Sequence, residues 1–205
     1  MALDGLGLVA LCQGKYERAE SLFRQALTLH EQEGYRYGLA ASLNSSSILA
    51  YVQGEYERAA VLSEQSLALS RNTGDKGAIA RSLSMLGRVA YRQGNIEEAV
   101  AKHNESLVLF RELGEKLGII QGLERLGSVA VASAPIRASR LLAAAAGARE
   151  TIGAPLPPYE RAEHDTAVDH IRAALDRAVS SAAWAEGRAM TLEQAIEYAL
   201  AGEAD

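Results

Sequence analysis

A segment of 40 residues occurs three times in this chain, as residues 14–53, 54–93 and 94–133, with nothing inserted between the copies. The first two copies are identical at 16 of 40 aligned positions, and both begin Gly-x-Tyr-Glu-Arg-Ala. The third copy keeps several of the same residues, among them Gly94, Glu97, Ala99, Leu107, Gly114, Leu123 and Ala130. Self-similarity at a fixed period of this length predicts an array of stacked supersecondary units.

Each copy has the apolar spacing of two helices, with steps of three and four residues. Gly54 precedes the first predicted helix of the middle copy and Gly74 separates its two helices, because glycine tolerates the positive φ that ends a helix. Asp75 and Asn95 stand where the next helix would need an N-terminal cap. The pattern predicts six helices, near residues 15–32, 35–52, 55–72, 75–92, 95–112 and 115–132.

Residues 1–13 match the second half of a copy, since Leu3 aligns with Leu43 and Gly7 with Gly87. The chain thus begins on a helix that lacks its preceding partner. We expect a fragment of a longer protein, the alternative being a start codon inside an older array. Apolar residues of this helix would be left partly exposed, which would suit a homo-oligomer. They are Leu3, Leu6, Leu8, Val9 and Leu11.

After residue 133 the match decays, although helical spacing continues. We expect a degenerate helix over 134–151, a proline-rich loop over 152–158 and a helix over 161–175. Asp176 is predicted to cap a further helix that carries Trp184 as a core anchor, and Thr191–Gln194 has the form of a capping box. The predicted domains are the array 1–151, the loop 152–158 and a C-terminal helical cap, 159–205.

Composition excludes several classes of protein. The net charge is −5, whereas a general nucleic-acid binder needs clustered Lys and Arg. The single Cys12 cannot form an intrachain disulfide. The chain shows no charged-then-apolar leader and no apolar run near the ~20 residues of a membrane span. We therefore expect a soluble cytoplasmic protein without contact to nucleic acid or membrane.

The repeats resemble the tetratricopeptide repeat. Leu86-Gly87, Ala90, Gly94, Ile96, Ala99 and Leu107 fill the places of that family's packing residues in order, and 54–59 fits its Gly-x-Tyr-x-x-Ala segment. The resemblance implies an all-α, right-handed α–α superhelix with a C-terminal helical cap, in which Gly87, Gly127, Ala59 and Ala99 are structural. Arg71 and Arg111 replace the family's usual proline, and the period of 40 exceeds the commoner 34, so the helices should be longer.

The tail looks like the C-terminal end of arrays in bacterial signal-transduction ATPases and LuxR- or MalT-type regulators. The residues that carry this likeness are Ala138–Arg149, Ile152–Pro157 and Ala183–Ala195. The likeness implies a nucleotide-binding module upstream and a DNA-binding module elsewhere. Neither is visible in this sequence, which holds no glycine-rich phosphate loop ending in Gly-Lys-Ser/Thr.

In the family, the first helix of each pair lines a concave groove. Helical spacing from Leu83 and Leu86 predicts the groove residues of this chain, where an amide, tyrosines and arginines could bind an extended peptide. The family's clamp for a terminal carboxylate is not reproduced, since residues such as Ser45, Arg81 and Met85 occupy its places. The predicted groove residues are Asn44, Ile48, Tyr51, Arg81, Ser84, Arg88, Tyr91, Arg92, Gln121, Glu124, Arg125 and Ser128.

No pattern predicts a catalytic residue, a cofactor or a metal. His164 and His170 are six residues apart on a predicted helix, whereas helical zinc ligands use a four-residue spacing. The sequence also lacks the Gly-x-Ser-x-Gly elbow of serine hydrolases. We expect a non-catalytic scaffold that binds a protein or peptide in its groove. The alternative is a sensor that holds a small metabolite in the groove or in the crevice beside Pro155–Pro158.

Overall fold

The computed structural model describes residues 2–201, and these form eleven helices and no strand. The all-α expectation is confirmed. The helices are α1 (Ala2–Cys12), α2 (Tyr16–Gln32), α3 (Arg36–Val52), α4 (Tyr56–Thr73), α5 (Lys76–Arg92), α6 (Ile96–Leu113), α7 (Lys116–Ala130), α8 (Pro135–Ile152), α9 (Pro158–Ala174), α10 (Arg177–Ala189) and α11 (Leu192–Leu200).

The six helices predicted in the repeats are present, and none of their ends differs from the prediction by more than two residues. In the tail, α9 begins at Pro158 rather than at residue 161. Proline suits the first turn of a helix, because the N–H that it lacks would have no partner there. The predicted loop is correspondingly shorter.

Glycines end the helices as predicted. Gly54 has φ +81° and Gly74 has φ +73°, in the left-handed region where a Cβ would be strained. The N–H groups of Gly74 and Asp75 donate to carbonyl groups of Arg71 and Ser70 and so satisfy the end of α4. The equivalent turns at 20-residue intervals hold Gly14, Gly34, Gly94 and Gly114, also at positive φ.

Side-chain caps begin three of the helices. An Asp75 Oδ1 atom accepts from the N–H of Ala78 at 3.0 Å, and Asp176 Oδ1 accepts from the N–H of Val179 at 2.9 Å. At the start of α11, Thr191 and Gln194 form the reciprocal capping box. These three predictions are confirmed, and the cap at Asn95 stays a prediction.

The chain divides into two compact units, Met1–Leu109 and Phe110–Asp205, and the division falls within α6. The predicted boundaries at residues 151 and 159 are not tested by this division and stay a prediction. In the first unit each helix from α1 to α5 contacts the next, and α3 also contacts α1 and α5. The odd-numbered helices thus form one layer and the even-numbered helices another.

Small residues let the helices of the first unit approach closely. A Cβ on Gly87 would lie 2.6 Å from the ring of His103, which is almost inaccessible, and one on Gly7 would lie 2.3 Å from the ring of Phe23. Ala59 and Ala99 are fully buried. In the second unit, a Cβ on Gly127 would lie 3.0 Å from Leu142. These contacts support a structural role for all four small residues named from the sequence.

Buried serines join the two layers of the first unit at the same place in successive copies. The Ser66 hydroxyl donates to the carbonyl of Ala40, and the Ser106 hydroxyl donates to the carbonyl of Ala80, both at 2.8 Å. The two residues of the second bond lie one 40-residue period after those of the first. The repeat geometry thus brings a backbone carbonyl to each buried hydroxyl, which satisfies its donor.

One face of α1 is apolar and exposed. Leu6 is 53% exposed and Val9 54%, whereas Leu11 is buried. Leu3 and Leu8 are intermediate. On the other face, Asp4 is buried and accepts a hydrogen bond from Ser42. The partial exposure expected of this helix is confirmed for four of its five named side chains, and self-association through it stays a prediction.

In the second unit, α8 packs against α7, α9, α10 and α11. Trp184 is half-buried and packs at the edge of an apolar cluster, as expected of a residue that anchors the tail helices. The cluster comprises Val131, Ala138, Leu142, Ala167 and Ile171. Among residues 2–201, no helix is both long and apolar enough to cross a bilayer.

Candidate functional site

Eight of the predicted groove residues lie on two neighbouring helices of the first unit. We call this set the α3–α5 face. It comprises Asn44, Ile48 and Tyr51 of α3, and Arg81, Ser84, Arg88, Tyr91 and Arg92 of α5. Because α3 contacts α5 directly, side chains from two successive copies can meet there.

The centre of this face is the ring of Tyr51. The guanidinium of Arg88 lies over the ring, 4.0 Å from its centroid. The Arg92 Nε–H donates to the Tyr51 hydroxyl oxygen at 3.0 Å, and its guanidinium carbon is 5.8 Å from the ring centroid. One aromatic ring thus contacts two cations, and a cation over an aromatic face is attracted by the ring quadrupole. Three predicted residues, from two helices, converge on one spot.

These side chains differ in how far solvent can reach them. Tyr51 and Arg88 are each 5% exposed, whereas Arg92 is exposed. Ile48, Arg81, Ser84 and Tyr91 are intermediate. The face therefore has a rigid, packed centre and a rim that a ligand can touch. Such an arrangement orients a guanidinium, which matches a carboxylate with two parallel N–H donors.

Asn44, on α3, contributes a polar side chain to the α3–α5 face. It is 7% exposed, and within residues 2–201 its Oδ1 atom has no hydrogen-bond partner. A buried acceptor without a partner costs about 1–3 kcal/mol, so such groups are few in folded proteins. An amide at this position would gain a bond if it turned toward the main-chain N–H of a bound peptide.

The four predicted groove residues of α7 lie in the second unit and have a different environment. Gln121 and Ser128 are intermediate, but Glu124 and Arg125 are only 4% and 9% exposed. The Arg125 guanidinium pairs with Glu160 of α9. Glu124 accepts from Arg149 Nε at 2.6 Å and from Arg149 Nη2 at 2.8 Å. Tail helices of the same unit therefore cover these two side chains, and neither presents an accessible groove position here.

The Glu124–Arg149 pair is well satisfied. Arg149 Nη1 also donates to the carbonyl of Ala154, at 3.1 Å. Burial lowers the pKa of the Arg149 guanidinium, but the hydrogen bond and charge of Glu124 and the charge of Glu160 outweigh it, so the pKa lies above its ordinary value. The Arg149 guanidinium therefore stays charged, and its pair with Glu124 holds α8 against α7.

Sequence reasoning missed two features. Tyr56 at the start of α4 lies with its ring 5.4 Å from the Tyr51 ring, and it was not among the predicted groove residues. The ion pairs of Glu124 with Arg149 and of Arg125 with Glu160 were also missed. The sequence does hold a signal for them. The first two copies have uncharged residues at the same positions, Asn44 and Ser84 in place of Glu124, and Ser45 and Met85 in place of Arg125. Charges that appear only in the last copy indicate a contact with residues outside the three copies.

The second unit contains a cavity of about 430 Å³ beside the proline-rich loop. Its walls include Ala146, Ala154, Pro155 and Leu156, and His164 and the Glu124–Arg149 pair also line it. His170, by contrast, is exposed. Within residues 2–201 no three His, Cys, Asp or Glu side chains are grouped to hold a metal ion.

The family model described as tetratricopeptide repeat matches residues 1–72 and, in a second overlapping match, residues 38–112. Together the two matches span 112 of the 205 residues, more than half of the chain. The chain belongs to the tetratricopeptide repeat family. A search of curated protein sequences finds no significant match.

Membership of the tetratricopeptide repeat family agrees with the helix pairs, the period and the small residues at helix crossings. Such repeats generally act as scaffolds for protein–protein interaction, since stacked helix pairs present extended surfaces. The family also accounts for the position of the α3–α5 face. Its residues lie on α3 and α5, which are the second helices of the 40-residue copies as numbered here and the first helices of two successive tetratricopeptide pairs.

Proposed function

We propose that the α3–α5 face binds an extended peptide segment of a protein partner, and that the chain is a non-catalytic interaction segment. One observation carries the proposal: Tyr51, Arg88 and Arg92 meet at a single site although they come from two copies of the repeat. A packed aromatic ring beside arginines is the composition of residues that dominate protein interfaces. The acceptor of Asn44 would bind main chain.

We also propose a biological setting. The resemblance of the tail to bacterial signal-transduction ATPases and LuxR- or MalT-type regulators supports a role as the sensor or interaction segment of such a protein. In that setting the chain would act in the cytoplasm, and partner binding would control modules that lie elsewhere in the regulator.

A display library of random 12-residue peptides tests the binding site. Wild-type chain should enrich a family of peptides, and the accessible double variant Tyr91→Ala, Arg92→Gln should lose most of that binding. Arg71→Gln is the matched control, because the Arg71 side chain is 58% exposed and lies on α4, outside the face. Thermal unfolding of all three proteins confirms that they are folded. Equal enrichment by wild type and the double variant would remove the α3–α5 face as the site.

A second candidate is a small-molecule sensor. The observation that favours it is the cavity of about 430 Å³ beside the proline-rich loop, a volume within the range of ligand sites. Since Arg149 and Glu124 satisfy each other, a ligand would be largely apolar. Thermal-shift screening of metabolites against wild type and Leu156→Trp, which fills the cavity, tests this candidate. A stabilising compound that acts equally on both proteins would argue against the cavity.

A further inference from the structure

A pocket of about 320 Å³ lies within the second unit, where α9 and α10 both pack on α8. It is distinct from the cavity beside the proline-rich loop, because the two share none of their described lining residues. Its volume falls at the lower end of the range of small-molecule sites. We call it the Trp184 pocket. Its lining includes Ser139, Val168, Ile171, Arg172, Ser180 and Trp184.

One wall of the Trp184 pocket is apolar. Val168 and Ile171 of α9 and the ring of Trp184 on α10 pack in a single apolar cluster, in which Ile171 is buried. Val168 and Trp184 are only half-buried, so part of each side chain stays open to the pocket. An indole beside an aliphatic side chain forms a surface on which another aromatic ring packs well.

A buried hydroxyl belongs to the same pocket. Ser139 of α8 is 0% exposed, and within residues 2–201 its Oγ atom has no hydrogen-bond partner. Such groups are few in folded proteins, because burial costs a hydroxyl its hydrogen bonds with water. The pocket thus includes a polar group that the chain itself leaves unsatisfied. Since solvent does not reach this group, the accessible side chains at the mouth must make the first contacts with a ligand.

Arginine and serine side chains form the mouth of the Trp184 pocket. The Arg172 side chain is 70% exposed, Ser181 is exposed and Ser180 is half-buried. An adjoining crevice is lined by the same three residues and by Arg177, so two guanidinium groups lie at the mouth. A guanidinium offers a carboxylate two parallel N–H donors.

Two carboxylates lie close to these arginines in the sequence, and both are engaged. Asp169 Oδ1 is 3.4 Å from Arg172 Nη1, and the Asp169 side chain is 73% exposed. A pair this exposed contributes little, because water screens it. Asp176 caps α10 by accepting from the N–H of Val179. A ligand carboxylate therefore has to displace one exposed ion pair in order to bind Arg172.

We propose that the Trp184 pocket binds a small aromatic carboxylate, with its ring against Trp184 and Val168 and its carboxylate on the Arg172 guanidinium. The apolar wall and the cationic mouth match the two ends of such a molecule. The residues of this site are separate from those of the α3–α5 face, so its occupancy does not depend on peptide binding there.

Trp184 is the only tryptophan of the chain, so a nitrogen–proton correlation spectrum has one indole N–H signal that reports on this pocket. Benzoate titrated into the full chain should shift that signal, with a Kd of about 1 mM or tighter. Benzamide, which lacks the charge, should bind at least about fivefold more weakly. Cyclohexanecarboxylate, which lacks the aromatic ring, should bind at least about twofold more weakly.

Variants at the mouth test the role of Arg172. Arg172→Gln should weaken benzoate binding at least about fivefold and leave benzamide binding unchanged. Asp169→Asn, which removes the competing carboxylate, should strengthen benzoate binding about twofold. Arg161→Gln is the matched control, because Arg161 is exposed on the same helix and outside the described lining. Ser181→Phe, which fills the mouth, should abolish the binding of both compounds.

Each of three results would overturn the inference. The first is an indole signal that does not move at about 10 mM benzoate. The second is benzoate binding that is as tight in Arg172→Gln as in wild type, or no tighter than benzamide binding. The third is a set of shifts confined to signals around Leu156, which would place benzoate in the other cavity. A well-dispersed spectrum shows that each variant is folded, and the peptide library tests the α3–α5 face separately.

Discussion

Two glycines of α5 lie in opposite environments, although both are helical. Around Gly77 an added Cβ would meet only ordinary contacts, at 3.4 Å from Arg81 and Asp75. Around Gly87 the same atom would lie 2.6 Å from the His103 ring, which is 1% exposed and would have to shift. At the scale of the residue, the space left at a helix crossing decides which small residues the repeat requires.

We expect Gly87→Ala to lower the free energy of unfolding by about 1–3 kcal/mol, since the close-packed ring must shift. Gly77→Ala, on the same helix, should be neutral or stabilising by up to about 1 kcal/mol, because alanine favours the helix. Urea denaturation of both variants measures the difference. Equal effects would show that crowding at His103 is not what requires the glycine.

The buried ion pair of the second unit gives a second prediction at this scale. Arg149→Met should cost about 3–5 kcal/mol, because it leaves the buried Glu124 side chain without its ion-pair partner. Replacing both, as Arg149→Met with Glu124→Leu, should cost clearly less than the sum of the two single changes. Arg172→Gln is the control, since its pair with Asp169 is about 70% exposed and should matter by no more than about 0.5 kcal/mol. Additive single changes would contradict coupling.

At the scale of the helix, capping is uneven along the array. Asp75 caps α5 with its carboxylate, whereas Lys15, Tyr35 and Glu55 stand at equivalent positions and make no side-chain cap bond. Those helices begin where the preceding glycine turn places them, and packing against neighbours stabilises them. A side-chain cap thus contributes to α5 but not to α2, α3 or α4.

We expect Asp75→Ala to destabilise the chain by about 1 kcal/mol, since the N–H of Ala78 loses its acceptor. Asp75→Asn should retain most of the stability, because an amide oxygen caps nearly as well. Thermal unfolding compares the three proteins, and hydrogen exchange at the first turn of α5 locates the effect. Equal loss in Asp75→Asn would point to the charge of Asp75 rather than to the cap.

At the scale of the whole molecule, a repeat array gains stability from contacts between neighbouring repeats, so a destabilising substitution at one end should have a local effect. Leu11 is 1% exposed and belongs to the first helix. We expect Leu11→Ala to speed hydrogen exchange in α1 and α2 while leaving α7 and α8 unchanged. Uniformly faster exchange through all helices would show that the chain unfolds as one cooperative body.

The repeat itself determined most of the architecture. The 40-residue period, the glycines at its turns and the three- and four-residue apolar steps placed every helix of the array within two residues, because helix ends and faces are set by local chemistry. The caps at Asp75, Asp176 and Thr191 followed from the same local rules. The family resemblance then placed eight candidate residues on two neighbouring helices.

Only the tertiary structure decided which of the candidate residues meet. Tyr51 receives Arg88 and Arg92 from a helix about 40 residues later in the chain, whereas Glu124 and Arg125 are covered by α8 and α9. Helical spacing assigns a side chain to a face, but it does not say which later segment packs on that face. The tail does not repeat, so no internal copy could show where its charged groups would bind. Two predicted groove residues are therefore buried in structural ion pairs.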